Sequence, residues 1–360
     1  MRLEPLEDLG AARAEWQELA LASGNIFSTW EWADAWWRHL GDGARLMAFT
    51  CRREDGTAAA ILPLCVRRGS AGRYGLRTAG WIGAGPADEL GPVCAPADLA
   101  LAAEAMRDAI ARTRGRWDVL ALDGLRAAEG WPARLGAPCA AARIPSPVIV
   151  FPEGGWEAYL GTCRRKFRAQ IRGRERRLER EHDVAFRLAD EPAAVAAALD
   201  EVLRLHALRW GDASKAFAGA RTAFHHDFAA TACERGWLRI WLLELEGRTV
   251  SGWYGFRFGG ADWFYQSGRD PAHEDDGVGF VLVAHTIRAA VQDGMGAYRL
   301  LAGGEPYKLR FATDPLELER VVLAGGARGR ALLLARAGRH EIGRLGRRVF
   351  PAWAARRRGA

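Results

Sequence analysis

Two stretches decide the fold: ADWFYQSGRDPAHEDDGVGF at 261–280 and AYRLLAGGEPYKLRF at 297–311. The first opens with alternating large apolar residues, as a half-buried strand does, and then breaks at Gly268, Pro271 and Gly277. Between the two lies an apolar run that predicts a helix over 279–293, followed by a strand at 297–302 and a short helix from about 305. The order is strand, glycine-containing loop, helix, strand, polar cluster. Gly277-Val278-Gly279 opens the helix, and a helix start presents unpaired backbone N–H groups and a positive dipole end, which suit a phosphate or diphosphate. A tight turn ahead of a helix would use the same glycines.

Reading outward, strands are expected at 237–245, 249–258 and 261–267, the first pair turning at Glu246-Gly247, with helices at 192–210 and 221–235. A basic helix spans 163–181, with Phe167, Ile171 and Leu178 as its apolar stripe. The first half has a similar plan. A strand and an amphipathic helix (Trp16, Leu19, Leu21) fill 1–23, and Ser28 or Thr29 caps a helix bearing Trp32, Trp36 and Trp37. Strands at 45–52 and 57–67 turn at Glu54–Thr57, a helix covers 99–114, and a strand covers 117–122. The proline- and glycine-rich stretch 133–147 reads as a boundary. The fold class is mixed α/β (α+β) in two lobes, each a twisted mixed sheet flanked by helices. The divisions are 1–146, 147–327 and a basic tail at 328–360.

The chain has 360 residues, 49% of them hydrophobic and 26% charged, enough apolar material for two cores and too much for a disordered chain. No C-x-x-C pair occurs among the six cysteines, so neither a zinc site nor a redox motif is expected, and no metal is assigned. Reduced thiols, no leader-like N-terminal segment and no apolar run near 20 residues predict a cytoplasmic protein. The net charge of +7 is concentrated in 164–180, with nine basic and two acidic residues, and in 328–360, with ten and one; the rest of the chain is acidic. Forty-eight arginines accompany only three lysines, Lys166, Lys215 and Lys308, so arginine richness by itself says little about nucleic acid.

Phe27–Trp37, the basic helix Cys163–Leu178, Tyr265-Gln266-Ser267-Gly268 and above all Gly303-Gly304-Glu305-Pro306-Tyr307-Lys308 resemble the tandem-GNAT acyltransferases over about 1–325. That group includes the Fem-type aminoacyltransferases and enzymes related to the cellulose-biosynthesis protein CelD. The resemblance implies an acyltransferase with no permanently bound cofactor, taking acetyl-CoA or another acyl-CoA as co-substrate, its donor held by Tyr265, Gln266, Gly277, Val278 and Gly279. Where GNAT loops favour Gln or Arg three residues before the first glycine, this chain has Glu274, followed by Asp275 and Asp276. An aminoacyl-tRNA and a carrier-protein thioester therefore stand as alternative donors, and a non-catalytic anion-binding protein as an alternative function.

Transfer to an amine requires a base, an oxyanion donor and an acid for the leaving group. Glu305 is the candidate base, or equally the cap of the helix begun at Pro306; Tyr307 is the candidate acid; Lys308 steadies an anionic group or lowers the Tyr307 pKa. Lys166, Arg168, His206, Arg209 and Trp210 are candidates for binding the acceptor, a small-molecule or envelope-precursor amine held between the lobes. The tail, with Leu332–Leu334, Val349, Phe350 and Trp353 among arginines, could lie on an anionic membrane surface at the inner face.

Overall fold

The computed structural model describes residues 1–68, 75–136, 140–211 and 214–334. Most of the basic tail, from 335, and Cys139 lie outside the described residues.

The first half contains β1 (Arg2–Pro5), α1 (Arg13–Ser23), α2 (Trp30–Leu40), β2 (Ala44–Leu46), β3 (Phe49–Arg52), β4 (Ala58–Leu62), β5 (Leu64–Arg68), β6 (Arg77–Trp81), β7 (Val93–Cys94), α3 (Leu99–Thr113), β8 (Val119–Arg126), α4 (Trp131–Arg134) and β9 (Ala140–Pro145). The second contains β10 (Val148–Val150), α5 (Gly155–Thr162), α6 (Arg165–Glu181), β11 (Val184–Leu188), α7 (Pro192–Trp210), α8 (Ala220–Glu234), β12 (Leu238–Leu245), β13 (Arg248–Phe258), β14 (Ala261–Arg269), α9 (Val278–Gln292), β15 (Ala297–Arg299), α10 (Pro306–Phe311) and β16 (Glu317–Ala324).

Local chemistry places these elements closely. Thr29 caps α2, its hydroxyl accepting from the Trp32 amide at 3.3 Å. The β13–β14 hairpin turns on Gly259 and Gly260, both at positive φ (59° and 72°), as a two-residue turn matched to strand twist requires. Buried side chains occur all round α9, which fits a helix laid across a sheet. By contrast, Leu21 was expected on the inner stripe of α1 and is 61% exposed. The single strand expected at 45–52 is two strands, β2 and β3, that pair in different sheets.

The second lobe's sheet has the order β10-β15-β14-β13-β12-β11, antiparallel except for β14 and β15. The first lobe has a four-stranded sheet, β1-β3-β4-β7, and a six-stranded one, β2-β5-β6-β8-β16-β9, whose parallel pair is β6 and β8. Two points correct the expected division. The stretch 133–147 contains β9, and β16, placed by sequence in the second lobe, inserts between β8 and β9 of the first. Segment 140–150 thus serves both lobes, as β9 in one sheet and β10 in the other. Neither the late return of β16 nor the double duty of 140–150 leaves a local signal in sequence, because both are long-range pairings.

An aromatic seam joins the lobes. Trp32 of α2 meets Phe224 and Phe228 of α8 edge-on at centroid distances of 4.9 and 4.7 Å, and Phe27 meets Trp263 of β14 at 5.7 Å. One buried apolar cluster runs through both lobes, and a second fills the far face of the second lobe's sheet beneath α5, α6 and α9.

Because β16 closes the first lobe's sheet, a chain ending at residue 146 is expected not to fold cooperatively. Joining residues 313–334 to it by a flexible linker should restore a sigmoidal melt. A cooperative melt of 1–146 alone, followed by circular dichroism, would contradict the strand exchange.

Candidate active site

Strands β14 and β15 pair for only three residues, Ala261–Trp263 against Ala297–Arg299. They then part. Beyond Arg299 the chain turns to the linker: the Leu300 N–H donates to the Pro147 carbonyl at 3.0 Å and the Gly303 N–H to that of Pro145 at 2.8 Å. On the other side of β14, a register shift between Tyr254 and Gly255 leaves Tyr265 without a partner residue, a bulge that bends the strand where it leaves β15.

The slot so opened leads into a cleft of about 240 Å³ lined by Arg174, Arg209, Phe264, Ser267–Arg269, Glu274, Gly277, Gly279, Phe280, Val283 and Tyr307. Phe264 and Val283, each only 5% exposed and part of the second apolar cluster, form its inner wall. The charged residues form the rim. Arg269 Nε donates to Glu274 Oε2 at 2.9 Å, which holds the Glu274 carboxyl below its usual range. Neither Arg174 nor Arg209 forms an ion pair among the described residues; Arg174 lies over Phe280 and against Gly277, and Arg209 lies 4.4 Å over the exposed ring of Trp210. Gly277 caps α9 at φ 69°; the Phe280 N–H already donates to the Gly277 carbonyl at 2.9 Å, which leaves the amides of Val278 and Gly279 without an intrahelical acceptor.

The acids at 274–276 are therefore partly compensated. Glu274 pairs with Arg269, and Asp276 accepts from His273 at 2.9 Å, with His182 at 3.8 Å.

Of the expected donor residues, Gly277 and Gly279 line the cleft. Val278 is fully buried in the core, so only its backbone can serve a ligand. Tyr265 faces the other way, since the pleat puts it opposite Phe264. Its ring packs on Phe27 and Trp32, and its hydroxyl donates to the Pro86 carbonyl of the first lobe at 2.9 Å. Gln266 is half-buried, one residue before the cleft-lining Ser267.

Among the acceptor candidates, Arg209 lines the cleft and Trp210 sits beside it. His206 is buried behind, donating from Nδ1 to the Ser267 carbonyl at 3.0 Å, with Nε2 2.8 Å from Ser214 Oγ. Burial lowers its pKa and favours the neutral ring. Helix α7 crosses β14 so closely there that a Cβ at Gly268 would overlap the His206 backbone. Lys166 is exposed on α6 and Arg168 folds back to the Leu160 carbonyl at 3.3 Å, so neither reaches the cleft; Arg174, two turns further along, does. Helical spacing alone could have singled out Arg174 once α9 was known to lie alongside.

Of the catalytic candidates, Tyr307 lines the cleft, and burial, with Glu305 second, pushes its phenol well up. Lys308 therefore does not lower that pKa. It is itself buried (8% exposed), donating to the Ala302 carbonyl at 2.9 Å and lying 3.2 Å from Glu305 Oε2. Glu305 holds the backbone N-cap position of α10, but its half-exposed carboxylate caps no amide. Among the described residues no cluster of metal-ligating side chains occurs, and no helix is long and apolar enough to cross a membrane.

A mixed sheet with one splayed parallel pair, a bulge on the inner strand and a helix starting on glycines at the slot defines a GNAT-type lobe, here in a two-lobed fold. Residues 165–309 match the acetyltransferase (GNAT) domain family. FemX is similar in structure, with a TM-score of 0.60 at 10% identity over 89% of this chain and 97% of that one. So is the L-PGS of Bacillus licheniformis (0.55, 14%, covering 95% and 98%). A conserved protein of unknown function from Bacteroides thetaiotaomicron also matches (0.58, 12%, covering 90% and 99%). At these identities the likeness is one of fold. No curated protein matches by sequence.

Behind the slot, His225 is fully buried between Phe217, Phe224, Tyr254 and Tyr265, and burial depresses its pKa to about 3. The unfolded chain takes up this proton near pH 6.5 and the folded chain only near 3, so stability is full above about 6.5 and falls with acidification across that window. In His225→Phe, denaturant unfolding between about pH 6.5 and 3 should show a shallower loss, by up to ~1.4 kcal/mol per pH unit. An identical slope in the variant would count against a buried neutral imidazole.

Proposed function

We propose that the protein transfers a short acyl group from an acyl thioester, an acyl-CoA, to an amine. The observation that carries this reading is the cleft itself: an apolar inner wall at the point where β14 and β15 part, a cationic rim, and the glycine start of α9, all within the matched GNAT domain. At about 240 Å³ it is smaller than the ~300–1,000 Å³ of pockets that enclose whole drug-sized ligands, which suits a pantetheine-like arm ending in a small acyl group. Arg174 and Arg209, unpaired, and the first turn of α9 suit the donor's diphosphate.

In the reaction the amine nitrogen attacks the thioester carbonyl, a C–N bond forms, and the C–S bond breaks. The edge of β14 beyond Trp263 faces the slot without a strand neighbour, and its backbone amides stabilise the oxyanion. Glu305, half exposed two residues before Tyr307, takes the amine proton through water. Tyr307, kept protonated by burial, gives its proton to the departing sulfur, which leaves as the thiol, and the phenolate regains a proton through water, the one taken up by Glu305.

Calorimetric titration tests the donor. Acetyl-CoA should bind with micromolar affinity at moderate and high salt, octanoyl-CoA no more tightly, and Gly279→Val should weaken binding at least about tenfold by crowding Arg269 at the rim. Absence of binding to any acyl-CoA would remove the acyl-CoA reading. A charged-tRNA donor would then take its place. The feature favouring it is the exposed start of α6, where Arg164, Arg165 and Lys166 form no ion pair among the described residues.

Tyr307→Phe should lower kcat for CoA release in a panel of amines by about 10²-fold with little change in donor affinity. Unchanged turnover would exclude Tyr307 as the acid.

A further inference from the structure

No described residue of the first lobe lines the cleft, but one of its segments reaches the strands that frame it. Residues 82–92 are tied to that lobe: Trp36 Nε1 donates to the Ala84 carbonyl at 2.9 Å, the Leu90 N–H to that of Gly124 at 3.0 Å, and Glu89 Oε1 accepts from Arg126 Nε at 2.7 Å. The fit is close enough that a Cβ at Gly124 would overlap the Asp88 carbonyl. From this base, three residues reach across to the second lobe. The Pro86 carbonyl accepts from the Tyr265 hydroxyl of β14 at 2.9 Å. Asp88 Oδ2 accepts from the Ala302 N–H at 3.1 Å, and Glu89 Oε2 lies 3.4 Å from Arg299 Nη1 at the end of β15.

These contacts bridge the two strands whose separation makes the slot. They also land on its most contorted stretch. Leu301 has φ 60°, uncommon for a branched side chain and costly unless its neighbours enforce it. The peptide groups of the next residue are pinned at both ends: the Ala302 N–H by Asp88, and its carbonyl by Lys308 Nζ at 2.9 Å. Five residues later, Tyr307 enters the cleft.

We infer that Pro86–Glu89 of the first lobe braces the strands that open the cleft without lining it, and that Asp88 is a positioning residue that sets the opening of the slot and the place of Tyr307 by holding Ala302. This rests on the reading of the cleft as a donor site. It also gives the first lobe a role in the second lobe's activity.

The test uses the full chain and two variants, with two readouts. In Asp88→Ala, hydrogen exchange should quicken at 299–308 while the cores of both lobes keep their protection, and acetyl-CoA affinity should fall about tenfold, the effect of losing one buried hydrogen bond to a carboxylate. Asp88→Asn retains an acceptor for the Ala302 amide and should recover most of both. Unchanged exchange at 299–308 in Asp88→Ala would overturn the inference. So would faster exchange throughout both lobes that Asn does not reverse, which marks general destabilisation. If the unaltered protein binds no acetyl-CoA, the donor reading fails, and the exchange readout alone still decides whether Asp88 holds the loop.

Discussion

A strand that leaves its neighbour must give its backbone hydrogen bonds to something else, and that requirement organises this molecule. After Arg299 the chain stops pairing with β14, and the amides of Leu300 and Gly303 go to Pro147 and Pro145 instead. The acceptors lie on the segment that links the lobes, which is also β9 of one sheet and β10 of the other. The slot is therefore held open by the strand exchange. Were the lobes simple beads on a string, the linker would have no reason to run beside β15, and the two strands could close on each other.

Charge is distributed to match. Much of the basic character of α6 is spent on local pairs: Arg172 with Glu157, Arg177 and Arg180 with Glu181. Such exposed pairs contribute little to stability. Arg174 differs because it turns toward the start of α9, where a cation meets the positive end of a helix dipole with Arg209 and Arg269 lining the same cleft. Like charges gathered in a partly apolar cleft are unfavourable until an anion enters, so the rim favours an anionic ligand over an empty cleft. The acids at 274–276 do not cancel this, since the Glu274 charge is held by Arg269 and Asp276 is bonded to His273.

What the sequence disclosed, and what it hid, follows from the range of the interactions. Helix α7 at 192–210 and the strands β12–β14 are legible because apolar periodicity and turn glycines are local. So are Gly277, Gly279 and Tyr307, which follow a motif in order along the chain. The side toward which Tyr265 points was not legible: a single bulge and the pleat decide it. Nor was β16, whose partners lie nearly 200 residues earlier. Lys308 reads as chemistry from its place beside Tyr307 in the motif, yet its ammonium holds the Ala302 carbonyl. Asp88 carries no motif at all, and only the packing of one lobe against the other brings it to Ala302.

The seam between the lobes limits how the cleft can work. Trp32, Phe27, Phe224, Phe228 and Trp263 form a continuous buried aromatic contact, and interfaces of that kind do not hinge as small polar ones do. If the cleft takes an acyl donor as proposed, water is not excluded by closing one lobe on the other. The groups placed to exclude it are those at the rim, namely the guanidinium groups of Arg174 and Arg209 and the indole of Trp210 beside them. The donor's anionic part would thereby draw in the groups that cover its reactive end, so that binding and closure become one event. In such an arrangement the first lobe supplies rigidity and the second supplies the adjustable side chains, and on the proposed reading the reacting carbonyl would sit where the two strands divide.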